Sequence, residues 1–231
     1  MAGSFLLLQG ESTQVRNVDR IQLQNVLPEV FTSRTDIRSE VWLQEVTLER
    51  GKTYLVEAAS GTGKSSLLSF LYGYRKDYSG DILFDGKDIR ECSNGDWVDI
   101  RRNHLSQLFQ ELRLFPELTA MENVMIKNQL TDLQSEKTIR EWFDAMGIAA
   151  CMDKRLGHMS FGQQQRVALI RALCQPFEFL LADEPVSHLD NTNSDIMGGI
   201  MLAEAKRQGA ALIITSIGKH MNMDYDKILK L

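Results

Sequence analysis

Positive charge, cysteine and proline are all in short supply in this chain. Lysine and arginine number 26 against 31 aspartates and glutamates, for a formal net charge of −5. That balance argues against a general affinity for nucleic acid or anionic lipid, both of which demand a basic surface. A phosphate site needs only a few local donors and survives the argument. The three cysteines, Cys92, Cys151 and Cys174, are odd in number, far apart and free of CxxC spacing. Neither a disulfide framework nor a zinc site follows from them, and idle thiols in a reducing compartment are expected. Long apolar runs are also missing. Nothing approaches the ~20 residues needed to span a bilayer, and Phe5–Leu8 is too short for a signal-peptide core and lacks a basic flank. A soluble chain is expected, with any membrane work done by a partner.

What is present is globular. The 231 residues are 43% hydrophobic and 25% charged, within reach of one α/β domain carrying an inserted subdomain. Residues 1–20 are polar and aperiodic and read as a loose N-terminal extension. Ile21–Val26 alternates apolar and polar, as a half-buried strand does. Val41–Glu49 and Thr53–Glu57 give two further strand-like runs, and Arg50-Gly51-Lys52 between them reads as a hairpin turn. A small-residue loop over 58–66 leads into a helix over 65–72. Residues 78–90 read as two short strands around Asp85-Gly86. From about 111 to 158 the pattern turns helical, with Ile139, Trp142, Phe143 and Met146 on one face. Phe179–Ala182 and Ala211–Thr215 then suit buried parallel strands. Between them Ile196, Ile200 and Ala203 mark a helix face that ends at Gly209.

Two segments carry chemistry. Ser60-Gly61-Thr62-Gly63-Lys64-Ser65-Ser66 lies between an expected strand and an expected helix. A loop there presents backbone N–H groups and a helix N-terminus to phosphates. Lys64 can reach the outer phosphates, and Ser65 can place its hydroxyl on Mg²⁺. The full G-x-x-x-x-G-K-[ST] pattern is broken by Ala58 in the first glycine's place. If that position needs φ > 0, alanine costs about 1–2 kcal/mol; otherwise the loop tolerates it. The second segment, Leu180–Pro185, puts Asp183 and Glu184 at the C-terminal end of a buried strand, where open parallel sheets bind ligands. Asp183 is assigned to Mg²⁺ and Glu184 to the attacking water.

Together with further motifs these residues resemble the nucleotide-binding domain of ABC ATPases, from about Ile21 to the C-terminus. Met159-Ser-Phe-Gly-Gln-Gln-Gln-Arg166 looks like the family signature. The resemblance implies that Ser160, Gly162 and Gln163 touch the γ-phosphate held by an opposing subunit, with Phe161 departing from the usual glycine. Gln110 resembles the Q-loop residue that meets Mg²⁺ and water, and Glu117–Val124 looks most like the lipoprotein-release, macrolide-export and cell-division branch. Ser187–Asp190 resembles the D-loop, which brings Asp190 to the subunit interface. The aromatic ring that stacks on adenine is expected at Phe31, with Tyr54 a weaker candidate; Phe31 could equally be core. The family's switch histidine is missing: Ile217 follows Thr215-Ser216, and His220 stands in only if the turn is rearranged.

The expected fold is therefore α/β, a P-loop NTPase of ABC type. It has a mixed core sheet, an antiparallel β subdomain and a helical insert at about 111–158 within a domain over 21–231. The resemblance implies an ATP-binding and hydrolysing transporter subunit using ATP and Mg²⁺, with Glu184, Lys64 and Gln110 catalytic. Its partners would be a second ABC subunit, identical or not, and an integral membrane permease-like protein at the inner face of the membrane. The alternative is a nucleotide-gated regulatory subunit with weak turnover, favoured by Ile217. No nucleic-acid partner is expected, because no long heptad region interrupts the chain as in DNA-repair relatives.

Overall fold

The computed structural model describes residues 17–231, so the extension expected over residues 1–20 falls almost wholly outside the described residues. Strand β1 (Arg20–Pro28) alternates buried and open positions, as does β2 (Glu45–Glu49). The residues before β2, from Val41 to Gln44, form turns rather than strand. Strand β3 (Thr53–Glu57) is buried along nearly its whole length. Helix α1 (Lys64–Leu71) follows the small-residue loop, and β4 (Tyr78–Phe84) and β5 (Lys87–Asp88) form a hairpin around Asp85-Gly86. Helix α2 (Asn94–Asp99) leads to β6 (Leu105–Leu108). Helices α3 (Ala120–Asn128) and α4 (Glu136–Ala145) follow, then α5 (Phe161–Leu173). Strand β7 (Phe179–Asp183), helix α6 (Asn191–Gln208), β8 (Ala211–Ser216) and β9 (Lys227–Lys230) complete the order.

The strands divide into two sheets, β2-β1-β4-β5 and β6-β7-β8-β3-β9. The first is antiparallel. In the second, every pairing of described strands is parallel. The mixture of strand directions thus lies between the two sheets, not inside the core sheet. The hairpin expected at Arg50-Gly51-Lys52 is not one: β2 pairs with β1 and β3 pairs with β8 and β9. Gly51 takes a left-handed φ of 77° and passes the chain from one sheet to the other. The burial patterns agree with the parting: β2 has the alternation of a strand open on one face and β3 the near-continuous burial of one covered on both.

Full burial of the core strands follows from two cores, one on each face. Tyr54 and Val56 of β3 point into a cluster with α1 and the antiparallel sheet, while Leu55 points into a cluster with α3 to α6. Strands β7 and β8 divide likewise, Phe179, Leu181, Ala211 and Ile213 to one side and Leu180, Ala182, Leu212 and Ile214 to the other. Alternating side chains reach opposite faces of a strand, so a strand covered on both faces reads as a continuous apolar run. In α4, Ile139, Phe143 and Met146 are buried as expected and Trp142 is half-buried. Helix α6 differs in part: its fully buried face runs through Met197, Met201 and Ala205, Ile196 and Ile200 pack half-buried against the same core, and Ala203 is exposed. The apolar residues at neighbouring positions made either stripe plausible, and Gly198 decides it. A Cβ there would meet Met221 and Met223 at 3.0–3.4 Å. Gly209 ends the helix in the left-handed conformation expected of it.

At the end of the core sheet away from the glycine loop, Arg50 ties several elements together. Its guanidinium donates to the carbonyls of Gly209 (2.8 Å) and Gln208 (3.0 Å) and to Glu178 Oε1 (3.2 Å). Glu178 Oε2 also accepts from the Val18 N–H and lies 2.9 Å from His104 Nδ1.

Candidate nucleotide site

Three parallel strands end side by side, and the site is built from the loop that leaves the end of each. Register pairs Glu57 of β3 with Ser216 of β8 and Asp183 of β7 with Thr215 of β8. The loop after β3 is anchored where the Ala58 N–H donates to the Ser216 carbonyl (3.1 Å). Ala58 is not among the positive-φ residues, whereas Gly61 (80°) and Gly63 (101°) are. The departure from the full glycine pattern therefore carries no backbone strain. Gly63 is needed twice over, because a Cβ there would lie 3.0 Å from both Phe31 and Trp42. Trp42 also donates its indole N–H to the Thr62 carbonyl (3.0 Å), a prop that nothing in the loop's own sequence announces.

Lys64 is 5% exposed. Its ammonium donates to the loop's own carbonyls, Ala59 (2.9 Å) and Ala58 (3.2 Å), and lies 3.5 Å from Glu184 Oε1. Glu184 holds a left-handed φ of 48°, uncommon for a residue with a side chain. It is pinned there from two sides. Its N–H donates to Thr215 Oγ1 (3.1 Å), and its carbonyl accepts from the buried Gln165 amide (3.4 Å). The Thr215 hydroxyl donates onward to Asp183 Oδ1 (2.7 Å), and Asp183 is itself buried. A single hydroxyl on the middle strand thus aligns both carboxylate residues.

A cleft of about 420 Å³ gathers Ser60, Gly61, Gly63, Lys64, Ser65, Ser66, Gln110 and Glu184, with Val30, Phe31 and Arg34 on one wall. Most of the sequence-derived site is therefore in one place. Ser66 is partly engaged, its hydroxyl accepting from Arg75 (2.9 Å). Thr62 faces a neighbouring cavity instead, its hydroxyl donating to the Ala59 carbonyl. Phe31 is only 6% exposed, and Arg34 lies 4.3 Å over its ring. Tyr54 is in the core, where its hydroxyl accepts the Glu49 N–H (2.8 Å), so the weaker adenine candidate falls away.

Ser160, Gly162, Gln163 and Asp190 do not line this cleft. Ser160 and Gln163 form a capping box at the start of α5, which leaves the N–H groups of Phe161 and Gly162 over at the helix end. Phe161 is 44% exposed and packs edge-on against His188 (centroids 4.7 Å apart). Asp190 caps α6, accepting from the Asn193 N–H (2.8 Å) and side chain (2.7 Å). The bond from the Asn193 backbone, then the one from its side chain, hold the Asp190 carboxyl below its ordinary range.

On the other side of Glu184 lies a second cavity, of about 240 Å³, lined by Ser187, Thr215, Ser216, Ile217 and Lys219 among others. Ile217 is 53% exposed there. His220 turns elsewhere, 2.9 Å from Glu57 Oε1, and is absent from both cavity walls. Lys219 donates to the Leu189 carbonyl. The sequence reading missed Trp42, Gln165 and Thr215. Thr215 stands at the end of an expected strand and Gln165 within the signature segment, whereas Trp42 left no signal.

A glycine loop closing on a lysine, with an Asp-Glu pair two strands away, defines a P-loop nucleoside triphosphatase. Residues 44–187 match the ABC transporter family model, and the chain belongs to that family as an ATP-binding, ATP-hydrolysing subunit. It is 31% identical over 201 residues to the lipoprotein-releasing system ATP-binding protein LolD of Syntrophotalea carbinolica, covering 86% of this chain and 87% of the relative. The LolD protein of Geobacter metallireducens is 33% identical over 174 residues, 74% of this chain and 77% of the relative. Among solved structures, the dimeric bacterial ABC transporter cassette MJ0796 aligns with a TM-score of 0.71 at 24% identity, over 85% of this chain and 87% of that one. At that identity the likeness speaks for the fold.

Proposed function

We propose that the chain is one half of a dimeric motor. ATP binds with Mg²⁺ in the cleft of one copy, the start of α5 from a second ABC subunit covers it, and closing and reopening drive an integral membrane permease-like protein. The observation that carries this reading is the state of Lys64. Its buried ammonium rests on two carbonyls of its own loop and on Glu184, partners that phosphate oxygens would replace. As Lys64 turns to the β- and γ-phosphates, the Glu184 carboxylate is released to orient a water held with Gln110. The N–H groups of Gly61 and Gly63 and the N-terminus of α1 complete the phosphate cradle, with Ser60, Thr62 and Ser66 in support.

The donors fit magnesium. Ser65, Gln110 and Asp183 offer a hydroxyl, an amide carbonyl and a carboxylate with one oxygen held by Thr215. Such a sparse set of hard oxygens suits an ion that keeps phosphate oxygens and waters for its other positions. No group of three His, Cys, Asp or Glu among the described residues forms a metal cage of its own. When bound, magnesium would neutralise charge on the phosphate oxygens.

In the dimer, Ser160, Gly162 and Gln163 meet the γ-phosphate of the opposing copy, Asp190 lies at the seam, and residues about 111–158 act as the inserted arm that carries α5 across. The relatives' lipoprotein-releasing names favour a transporter of that type, with this chain held to the inner face of the membrane by its partner. No described helix is long and apolar enough to cross a membrane. The test is purification from membranes with whatever is bound. An integral membrane protein should co-purify and raise ATP turnover; a chain that stays monomeric with ATP and alone would sink the motor reading. A second reading, nucleotide-gated regulation with weak turnover, is favoured by Ile217, which brings no donor or charge to the wall beside Glu184.

A further inference from the structure

The geometry points to Arg34, not Phe31, as the surface on which the purine base of ATP rests. The inference builds on ATP binding in the glycine-loop cleft and goes beyond it to the residue that recognises the base. Phe31 cannot present a free ring. It is 6% exposed and packed into the core with Trp42 and Phe70, and its edge lies 3.0 Å from where a Cβ on Gly63 would stand. The face that remains is taken by the Arg34 guanidinium, 4.3 Å from the ring centroid. Arg34 is itself exposed, and it lines both the phosphate cleft and an adjoining cavity of about 360 Å³ that also meets Trp42 and Thr62.

A guanidinium is planar, permanently charged and weakly hydrated, so it stacks on aromatic faces where a lysine ammonium does not. Its Cζ sits 4.3 Å over the Phe31 ring, which holds it in place. The side turned away from the ring is available to a nucleobase, giving the order ring, guanidinium, base. Val30, 65% exposed on the same wall, supplies aliphatic contact and no plane. No carboxylate of the described residues pairs with Arg34 in this state, whereas Arg75 and Arg90 are held by aspartates. Its outward face therefore has no ionic partner to give up when a base arrives.

The experiment is calorimetric binding of Mg·ATP and of Mg·tripolyphosphate, which has the phosphates without the base, to the intact chain and to variants. Arg34→Ala should weaken ATP about tenfold, as loss of one base-stacking contact does, and leave tripolyphosphate unchanged. Arg34→Lys, which keeps the charge but loses the plane, should behave like the alanine and gives the answer if Arg34→Ala does not fold. Unchanged ATP affinity in both variants would overturn the inference. So would equal weakening of both ligands, which would make Arg34 a phosphate contact. Lys64→Ala separates this from the site itself: it should weaken both ligands, and if it weakens neither, the cleft and not Arg34 has been misread.

Discussion

The two flanks of Glu184 are built to different standards. Towards the glycine loop, the charged groups and the strained Glu184 backbone are held by named partners. Lys64 is held by carbonyls, Asp183 by Thr215, and the Glu184 backbone by Thr215 and Gln165. Towards the turn after β8, the wall is Ile217, and the two basic side chains nearby are engaged elsewhere, Lys219 with Leu189 and His220 with Glu57. In the proposed motor, phosphate binding and water activation would draw on the first flank, and charge developing on the γ-phosphate would draw on both. The contrast teaches where the proposed motor would be strong and where weak: its nucleotide grip would rest on the first flank, with no side-chain donor from Ile217 on the other.

Three substitutions break or sharpen that contrast. The largest effect is expected from Glu184→Gln, which should lower ATP turnover about 10²–10⁴-fold, the usual worth of a positioned general base, with calorimetric ATP binding retained. Unchanged transport activity in the same variant would favour the regulatory reading. Next is Thr215→Val, which strips a partner from Asp183 and strands the Glu184 N–H in a buried setting. It should cost about 1–3 kcal/mol in urea unfolding, along with turnover, although no atom of Thr215 need touch substrate. The smallest is His220→Ala. Its pairing with Glu57 is substantially solvent-exposed, so stability should move by less than about 1 kcal/mol and phosphate release should not change. A marked fall in turnover would show that His220 does serve the far flank.

The parts of the site legible in the sequence are those whose chemistry needs consecutive residues. A phosphate loop must be contiguous, so Ser60–Ser66 announced itself, and so did the acidic pair at the end of a buried run. The parts that escaped are assembled by the fold. Trp42 and Arg34 reach the loop from the segment before β2, Thr215 from a neighbouring strand, and Gln165 from α5. At the level of the fold, most strands, α1 and the Gly209 helix end were readable from periodicity and turn chemistry, whereas the short β6 and the mostly exposed β9 were not. The supposed hairpin at Arg50–Lys52 was not, because a short glycine turn looks the same whether the chain doubles back or changes sheets. On α6 the fully buried stripe runs through the methionines beside the expected isoleucines, which pack half-buried against the same core, as isoleucine and methionine at adjacent positions are equally apolar. Ala58 shows the reverse case: a broken pattern that cost nothing, because the backbone there never asked for glycine.

Arg50 has a mechanical consequence. By clasping the end of α6, the approach to β7 and the bend between the two sheets, it rivets the floor of the domain. In the proposed motor, a push raised by nucleotide at the opposite rim would then move the loops and helices there and would not be lost in splaying the strands.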